Sequence, residues 1–447
     1  MRRVYLIDWD RKECDVLESD IMDQEDAAPR ERDDVRSGQQ SAWAMRVLLM
    51  PLLRKFVLPT GFPASVSRDY TGFVKWNVLR QLTSSAYNVI GTSSMFGALG
   101  VGGASKPALS AAWNWVLKDG LGMSSKVALG ASLAPIIDRN PKRWRVLGDG
   151  VQTLGTVLEI MTAWFPGQFL LLASLGTMFK KGGDVATGPS YRVFLNSFAV
   201  TNNIGDVSSR AESQVVLGNL TGLGVGIALS SLIQDDTLLA LECYAMLACL
   251  HVFCTYKSVS NVWLRTLNWT RASVLLRHYV SFGEVLSVQA VNERENFLSL
   301  SDATRLEWCH GSVDDPMSVD LGADLLDLVE SGSELCTLLE QHGTEKYILG
   351  YNRSQRRLGV LFRDDAEPGD ELRALLHAQY LLQLTGSHAA LNELACVLPV
   401  LQQSHAAMER SYPSLVLQLK QLNYTLDSLL IDPDRRSTFQ WESHAPR

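Results

Sequence analysis

The pattern of apolar and polar positions along the chain is built from long blocks. Residues 213–234 form 22 consecutive positions without a charged side chain. As a helix rising ~1.5 Å per residue, such a block matches a hydrocarbon core of ~30 Å. Within it Gly218, Gly222 and Gly226 fall four apart, on one helical face where a second backbone can come close. Residues 81–105, 160–179 and 237–256 are similar blocks. They predict a mainly α, multi-helix membrane-embedded bundle with four crossings and both ends on one side.

The intervening polar positions predict the connections. Residues 69–80 place Tyr70, Phe73, Val74, Val78 and Leu79 at amphipathic helical spacing, after a turn marked by Pro59 and Pro63. Lys118-Asp119-Gly120 interrupts residues 107–137 and predicts a broken, re-entrant pair buried within protein. Residues 138–145 read as a basic loop, Pro166-Gly167 as a break, and residues 180–212 as a loop. Asp235-Asp236 predicts a tight turn. Lys257, Arg265, Arg271 and Arg277 follow with no acidic residue among them, which assigns that segment to the cytosol-like side.

Beyond residue 284 the pattern becomes that of a small soluble α/β domain. Residues 347–351 and 358–362 are strand-like around a polar turn. Leu372, Leu375, Leu376 and Leu382 mark a helical stripe. Leu415, Leu419, Leu422, Leu426 and Leu429 step four, three, four, three. This two-heptad seam suits packing within its own domain or against a partner helix.

Charge sharpens the division. Net charge is −5 over residues 1–40, +8 over 41–298 and −10 over 299–447, within a total of −7. Three regions are therefore expected. Residues 1–40 form an acidic head too charged to fold by burial, 41–283 a helical membrane-embedded body, and 284–447 the α/β domain. Basic residues do not gather on a solvated face, which excludes a nucleic-acid-binding module. Seven cysteines are widely spread and match no zinc spacing. The start of the chain shows no signal peptide or clear transit peptide. The expectation is an integral membrane protein, with its compartment left open.

Familiar catalytic patterns are missing: no P-loop, no dinucleotide fingerprint, no Gly-x-Ser-x-Gly elbow. None of the eight histidines stands at metal-ligand spacing. The reading therefore carries no catalytic residue and no metal. What remains is polar residues in apolar surroundings, where a charge at membrane depth suggests a task. Lys118 and Asp119 form one such pair, with an exposed turn as the alternative. Glu159 and Glu242 each stand alone in apolar runs. Asn202, Asn203 and Asp206, with Gln214 beyond, precede the glycine-bearing block; such a group can bind an anion or cap a helix.

Several of these segments carry a resemblance. Leu58-Pro59-Thr60-Gly61-Phe62-Pro63 through Tyr70 is similar to the opening motif of the root UVB sensitive protein family. Trp115-Val116-Leu117-Lys118-Asp119-Gly120 through Met123 follows, then Lys142-Arg143-Trp144-Arg145 with Asp149. Asn202-Asn203-Ile204-Gly205-Asp206-Val207 with Ser213 and Gln214 comes next, and then Tyr256-Lys257-Ser258-Val259, Leu264 to Asn268, and Arg271-Ala272-Ser273. Gly103 and Arg210 depart from the expected acidic and lysine residues.

The resemblance implies a membrane-associated helical protein of undetermined activity, linked in plants to ultraviolet-B responses, seedling development, auxin transport and vitamin B6 homeostasis. It makes Lys118, Asp119, Asp149, Asn202, Asn203, Asp206 and Gln214 candidate ligand groups and a vitamin B6 vitamer a candidate ligand. The lipid bilayer is an expected partner, as is a homo- or hetero-oligomer with family members. Two readings stay open: a small-metabolite carrier or scaffold, and an adaptor recruiting partners through the C-terminal domain. An enzyme is the weakest.

Overall fold

The computed structural model describes residues 4–8, 13–17, 56–100, 108–234, 236–298 and 306–439, the last with gaps of which 308–317, 329–335, 386–393 and 431–437 are the longest. Contacts divide the chain into residues 1–56 and 57–447. The first unit contains a hairpin in which β1 (Val4–Asp8) runs antiparallel to β2 (Glu13–Leu17), with Val4 opposite Leu17. The head expected to lack a fold thus holds a hairpin, since Val4 to Ile7 are strand-favouring enough to pair. The rest of residues 1–40 lies outside the described residues.

The second unit begins with six long helices: α1 (Tyr70–Leu99), α2 (Ala108–Arg139), α3 (Pro141–Met161), α4 (Phe169–Phe198), α5 (Ile204–Ile233) and α6 (Thr237–Ser260). Each boundary has a local cause. Gly100 ends α1 in a left-handed conformation, φ 65°, with its N–H turned back onto the last turn. Pro141 starts α3 at a position where the missing N–H costs nothing. Pro166 opens a short 3-10 turn between α3 and α4, as the break at Pro166-Gly167 predicts. Asp236 caps α6, accepting from the N–H groups of Leu238 and Leu239 at 3.0 and 3.1 Å.

Three expectations are corrected here. Residues 107–137 do not break at Lys118-Asp119, because α2 passes through them without interruption. Residues 138–145 are no loop: α2 and α3 are separated by Asn140 alone. The stretch 180–212 is largely α4 and the start of α5.

Contacts set the helix directions. Gly218, Gly222 and Gly226 of α5 lie against the α1 backbone, with the Cβ that Gly222 lacks placed 2.3 Å from the Leu82 carbonyl oxygen. Residue numbers rise together along this pair, so α5 runs parallel to α1. Gly155 and Gly176 face each other's backbones at the crossing of α3 and α4, as do Gly148 and Gly183. Numbers rise against each other there, so these two are antiparallel. His251 of α6 reaches Arg80 and Tyr244 reaches Tyr87, which makes α6 antiparallel to α1. The helices therefore alternate up and down six times. Two of them, α5 and α6, are long and apolar enough to cross a membrane.

The remaining chain forms β3 (Thr266–Asn268), α7 (Trp269–Phe282), α8 (Val288–Arg294), β4 (Leu306–Glu307), β5 (Ser318–Leu321), α9 (Leu325–Leu328), β6 (Tyr347–Asn352), β7 (Arg357–Arg363), α10 (Pro368–Thr385), α11 (Leu394–Gln421), β8 (Thr425–Leu430) and β9 (Thr438–Phe439). The predicted strand pair is present: β6 and β7 run antiparallel with Tyr347 opposite Phe362. β7 also pairs in parallel with β5 and β9. The stripe of Leu372, Leu375, Leu376 and Leu382 buries α10 against this sheet.

The leucine seam is not one helix. α11 ends at Gln421, Asn423 turns left-handed with φ 59°, and Leu426 and Leu429 lie in β8. Leu415 and Leu419 are spent on the domain's own core. That core also takes Trp269, Leu275, Leu276 and Tyr279 of α7, from the helical side of the boundary drawn at 283/284.

Candidate functional site

The helical body carries its charge on the inside. Along α3, Lys142, Arg145, Asp149, Gln152, Thr156 and Glu159 step three, four, three, four, three, the spacing that ordinarily builds an apolar face. Here it builds a polar one. All but half-buried Gln152 are buried, while Leu154 on the other side is 60% exposed. Gly148 and Gly155, on the α4-facing side, bring that neighbour close over this stripe.

Asp149 is the hub. Arg80 of α1 donates from Nη1 to both of its carboxylate oxygens, at 3.2 and 3.0 Å. Thr255 of α6 donates to Oδ2 at 2.7 Å, and His251 Nε2 stands 3.5 Å away. His251 Nδ1 lies 3.1 Å from the Arg80 carbonyl oxygen. The imidazole thus bridges the Arg80 carbonyl on one side and the Asp149 carboxylate on the other. Arg145, one turn below, is buried yet has no carboxylate within ion-pair distance among the described residues. It donates to the Thr187 carbonyl at 2.9 Å and lies 5.2 Å over the Tyr191 ring.

Nearly three turns above Asp149, Lys180 of α4 pairs with Glu159 and donates to Asn88 Oδ1 at 2.7 Å. Lys118 is 4% exposed in α2, bonded to Thr177 at 3.3 Å and to Asp119 at 2.6 Å, with its ammonium 4.4 Å over Trp115. Arg80, Arg145, Lys118 and the partly exposed Lys180 thus point into a body in which Asp149, Glu159 and Asp69 are the buried acids. Asp119 and Asp184 are half exposed.

The sequence candidates do not converge on one site. Asp149 lies at the centre, Lys118 and Asp119 on a separate flank. Asn203, Asp206 and Gln214 belong to the end of the body, where they hold the turn before α1. Asp206 accepts from the Thr60 N–H at 2.6 Å, Asn203 donates to the Ser65 carbonyl at 3.2 Å, and Gln214 donates to the Val57 carbonyl and the Tyr70 hydroxyl at 2.7 and 2.9 Å. Asn202 is exposed with φ 55°. Asn203 flanks the start of α5 without a side-chain cap. Two motifs far apart in sequence are thus docked on each other.

A second buried cluster joins the body to the C-terminal domain. Glu295 takes Lys142 at 2.9 Å and Arg271 at 2.9 Å, and Asn292 accepts from Lys142 at 2.8 Å. Burial alone would raise Glu295, but Arg271 and Lys142 outweigh it and hold the carboxyl below its usual range. Sequence reasoning missed Arg80, Arg145, Lys180, His251 and this cluster. The α3 spacing was the available signal, overlooked because apolar rather than polar periodicity was sought.

At the opposite end, a cleft of about 410 Å³ opens between the ends of α1, α5 and α6. Ser93, Ser94, Ser230, Gln234 and Thr237 line it beside Phe96. Ser230 Oγ is buried there without a hydrogen-bond partner. This opening offers hydroxyl and amide groups around one aromatic face, a set suited to a small polar ring compound.

Comparison with known proteins agrees with the motif order. Residues 44–283 match the family model described as the vitamin B6 photo-protection and homoeostasis domain, and residues 284–438 the root UVB sensitive protein C-terminal domain. Root UVB sensitive 5 of Arabidopsis thaliana is 30% identical, covering 88% of this chain and 78% of its own. Root UVB sensitive 3 of the same plant is 26% identical over 91% and 90%. A family member from Dictyostelium discoideum is 31% identical over 55% of this chain and 48% of its own. No solved structure matches. Two consecutive family domains and full-length relatives together make this chain a member of the root UVB sensitive family.

Proposed function

We propose that the helical body sits in a lipid bilayer and binds or carries a small metabolite of the vitamin B6 class. The observation that carries this reading is the inverted polarity of the body. Its buried face holds Arg80, Arg145, Asp149 and the Lys180–Glu159 pair, and its outer face carries Leu220, Ile227 and Leu232 at 61, 63 and 73% exposure. In water such an arrangement leaves apolar surface hydrated and buries charge at a cost of several kcal/mol per ion. In lipid the outer face is matched and the charges are sheltered by one another. Of the six alternating helices α5 and α6 are long and apolar enough to cross a bilayer, and the alternation leaves both ends of the body on the same side.

The ligand enters this reading through the cleft and Arg145. The cleft recognises a hydroxylated ring, and Arg145, buried without a carboxylate at ion-pair distance among the described residues, attracts a phosphate ester. Binding or passage is the proposed activity.

Two measurements test it. Alkaline carbonate washing should leave the protein in the membrane pellet; release of intact chain would contradict the bilayer. Vitamers should bind the protein in detergent, and Gly97→Phe should weaken them at least ~10-fold. Gly97 lines the cleft and a Cβ there meets nothing within 4 Å, so a side chain can start from this position and narrow the opening. Equal binding by the variant would remove the cleft from the account.

A further inference from the structure

We propose that the C-terminal domain holds a divalent transition-metal site made by Glu345, His405 and Glu409. His405 and Glu409 are four residues apart on α11, which presents an imidazole and a carboxylate on one helical face. Glu345 comes from the turn before β6, 60 residues away in sequence, and its Oε1 lies 3.2 Å from His405 Nε2. One ligand atom from each of the three lies within 4.8 Å of the other two. One nitrogen and two carboxylate oxygens form a donor set for zinc and its first-row neighbours, with remaining positions open to water.

The surroundings fit such an ion. A cavity of about 100 Å³ lies alongside, lined by His342, His377 and His405 with Leu401 and Gln402, large enough to hold metal-bound water. His377 is engaged at both nitrogens, with the Tyr347 hydroxyl at 3.1 Å and Ser404 Oγ at 3.0 Å. His342 Nδ1 is held by the Leu338 carbonyl at 3.0 Å. These two rings wall the cavity and are not ligands.

Arg373 is the competing cation. Its guanidinium stands 3.5 Å from Glu345 and bonds Glu409, neutralising one of two carboxylate charges. It also lies 5.1 Å over the Tyr412 ring, which gives it a resting place when an ion occupies the carboxylates. This competition makes a prediction that a purely structural ion-pair cluster does not share. Removing the arginine should strengthen metal binding.

The test uses the full chain in detergent, stripped with chelator, with Zn2+ and Co2+ as probes. Co2+ should give the visible absorption of an imidazole- and carboxylate-bound ion, at one equivalent. Zn2+ should displace it and raise the thermal midpoint. Glu409→Gln and His405→Ala should each weaken Zn2+ at least ~10-fold, and Arg373→Ala should tighten it. Glu409 is 45% exposed, so its amide variant tests the site even where His405→Ala fails to fold. Absence of a Co2+ spectrum, unchanged affinity in Glu409→Gln, or an equal response to Mg2+ would overturn the assignment. None of these outcomes bears on the carrier reading, which concerns the other domain.

Discussion

The helical body and the C-terminal domain are built on opposite plans from one chain. In the body, α3 turns a charged face inward and α5 an apolar face outward: Arg145 is 5% exposed and Leu232 is 73%. In the domain, Leu375, Leu376, Val360 and Phe362 are buried, and among its described residues from 306 onward only Leu384 and Leu417 are large apolar side chains left in the open. The domain follows the rule that water drives apolar surface inside. Under the proposed function the body follows the rule for a solvent that is itself apolar, where small residues and polar contacts hold helices together. The difference teaches that polarity must be judged relative to the surrounding solvent. The junction at Lys142, Glu295 and Arg271 is where one plan gives way to the other.

The comparison breaks most readily at its charged centre. Asp149→Leu leaves Arg80 with no carboxylate and Arg145 with none nearby, and should cost about 3–5 kcal/mol, read as a fall in thermal midpoint in detergent. In the domain the matching change is Leu375→Ala, which opens a cavity in a fully buried site and should cost about 2–5 kcal/mol. An Asp149→Leu variant as stable as the parent would contradict the polar-core account.

Outer positions sharpen the contrast. Leu220→Arg places a charge on the exposed side of α5 and, if the proposed bilayer setting holds, should cost about 2.5–3.5 kcal/mol in membrane insertion. Leu417→Arg, 58% exposed in α11, should stay within about 0.5 kcal/mol. Gly222→Val should separate α1 from α5, because its Cβ would meet the Leu82 carbonyl oxygen at 2.3 Å, at about 1–3 kcal/mol.

The smallest effect belongs to pH at the junction. The Glu295 carboxyl is held below its ordinary value of 4.5, so its ion pairs add stability above that pH. They lose it as the pH falls toward the folded value. Denaturation midpoints measured downward from pH 7 should therefore decline at the acid end. Glu295→Gln should flatten that decline, and an unchanged slope would assign the acid sensitivity elsewhere.

Much of the fold was legible from periodicity alone. The uncharged block at 213–234 identified α5, and its glycines identified the face that meets α1. The Tyr347 and Leu358 segments identified the β6–β7 pair. Isolated charges misled the reading wherever they were taken as breaks. Lys118 interrupts no helix because its long stem carries the ammonium onto Trp115 and Thr177. Lys180 and Asp184 looked like a loop because a charge was assumed to face water, whereas Lys180 turns inward to Glu159. The leucine seam failed at Asn423, where the left-handed backbone ends the helix. The candidate site was least legible, since Arg80, Asp149 and His251 come from three helices and meet only on folding.

The central claim is that lipid surrounds the outer face of the body. It is tested most directly by nitroxide labels at Leu220→Cys on α5 and Leu417→Cys on α11, in protein reconstituted into vesicles. The account predicts that the α5 label collides mainly with dissolved oxygen and is shielded from a water-soluble relaxation agent, while the α11 label shows the reverse. Equal exposure of both labels to the water-soluble agent would contradict it.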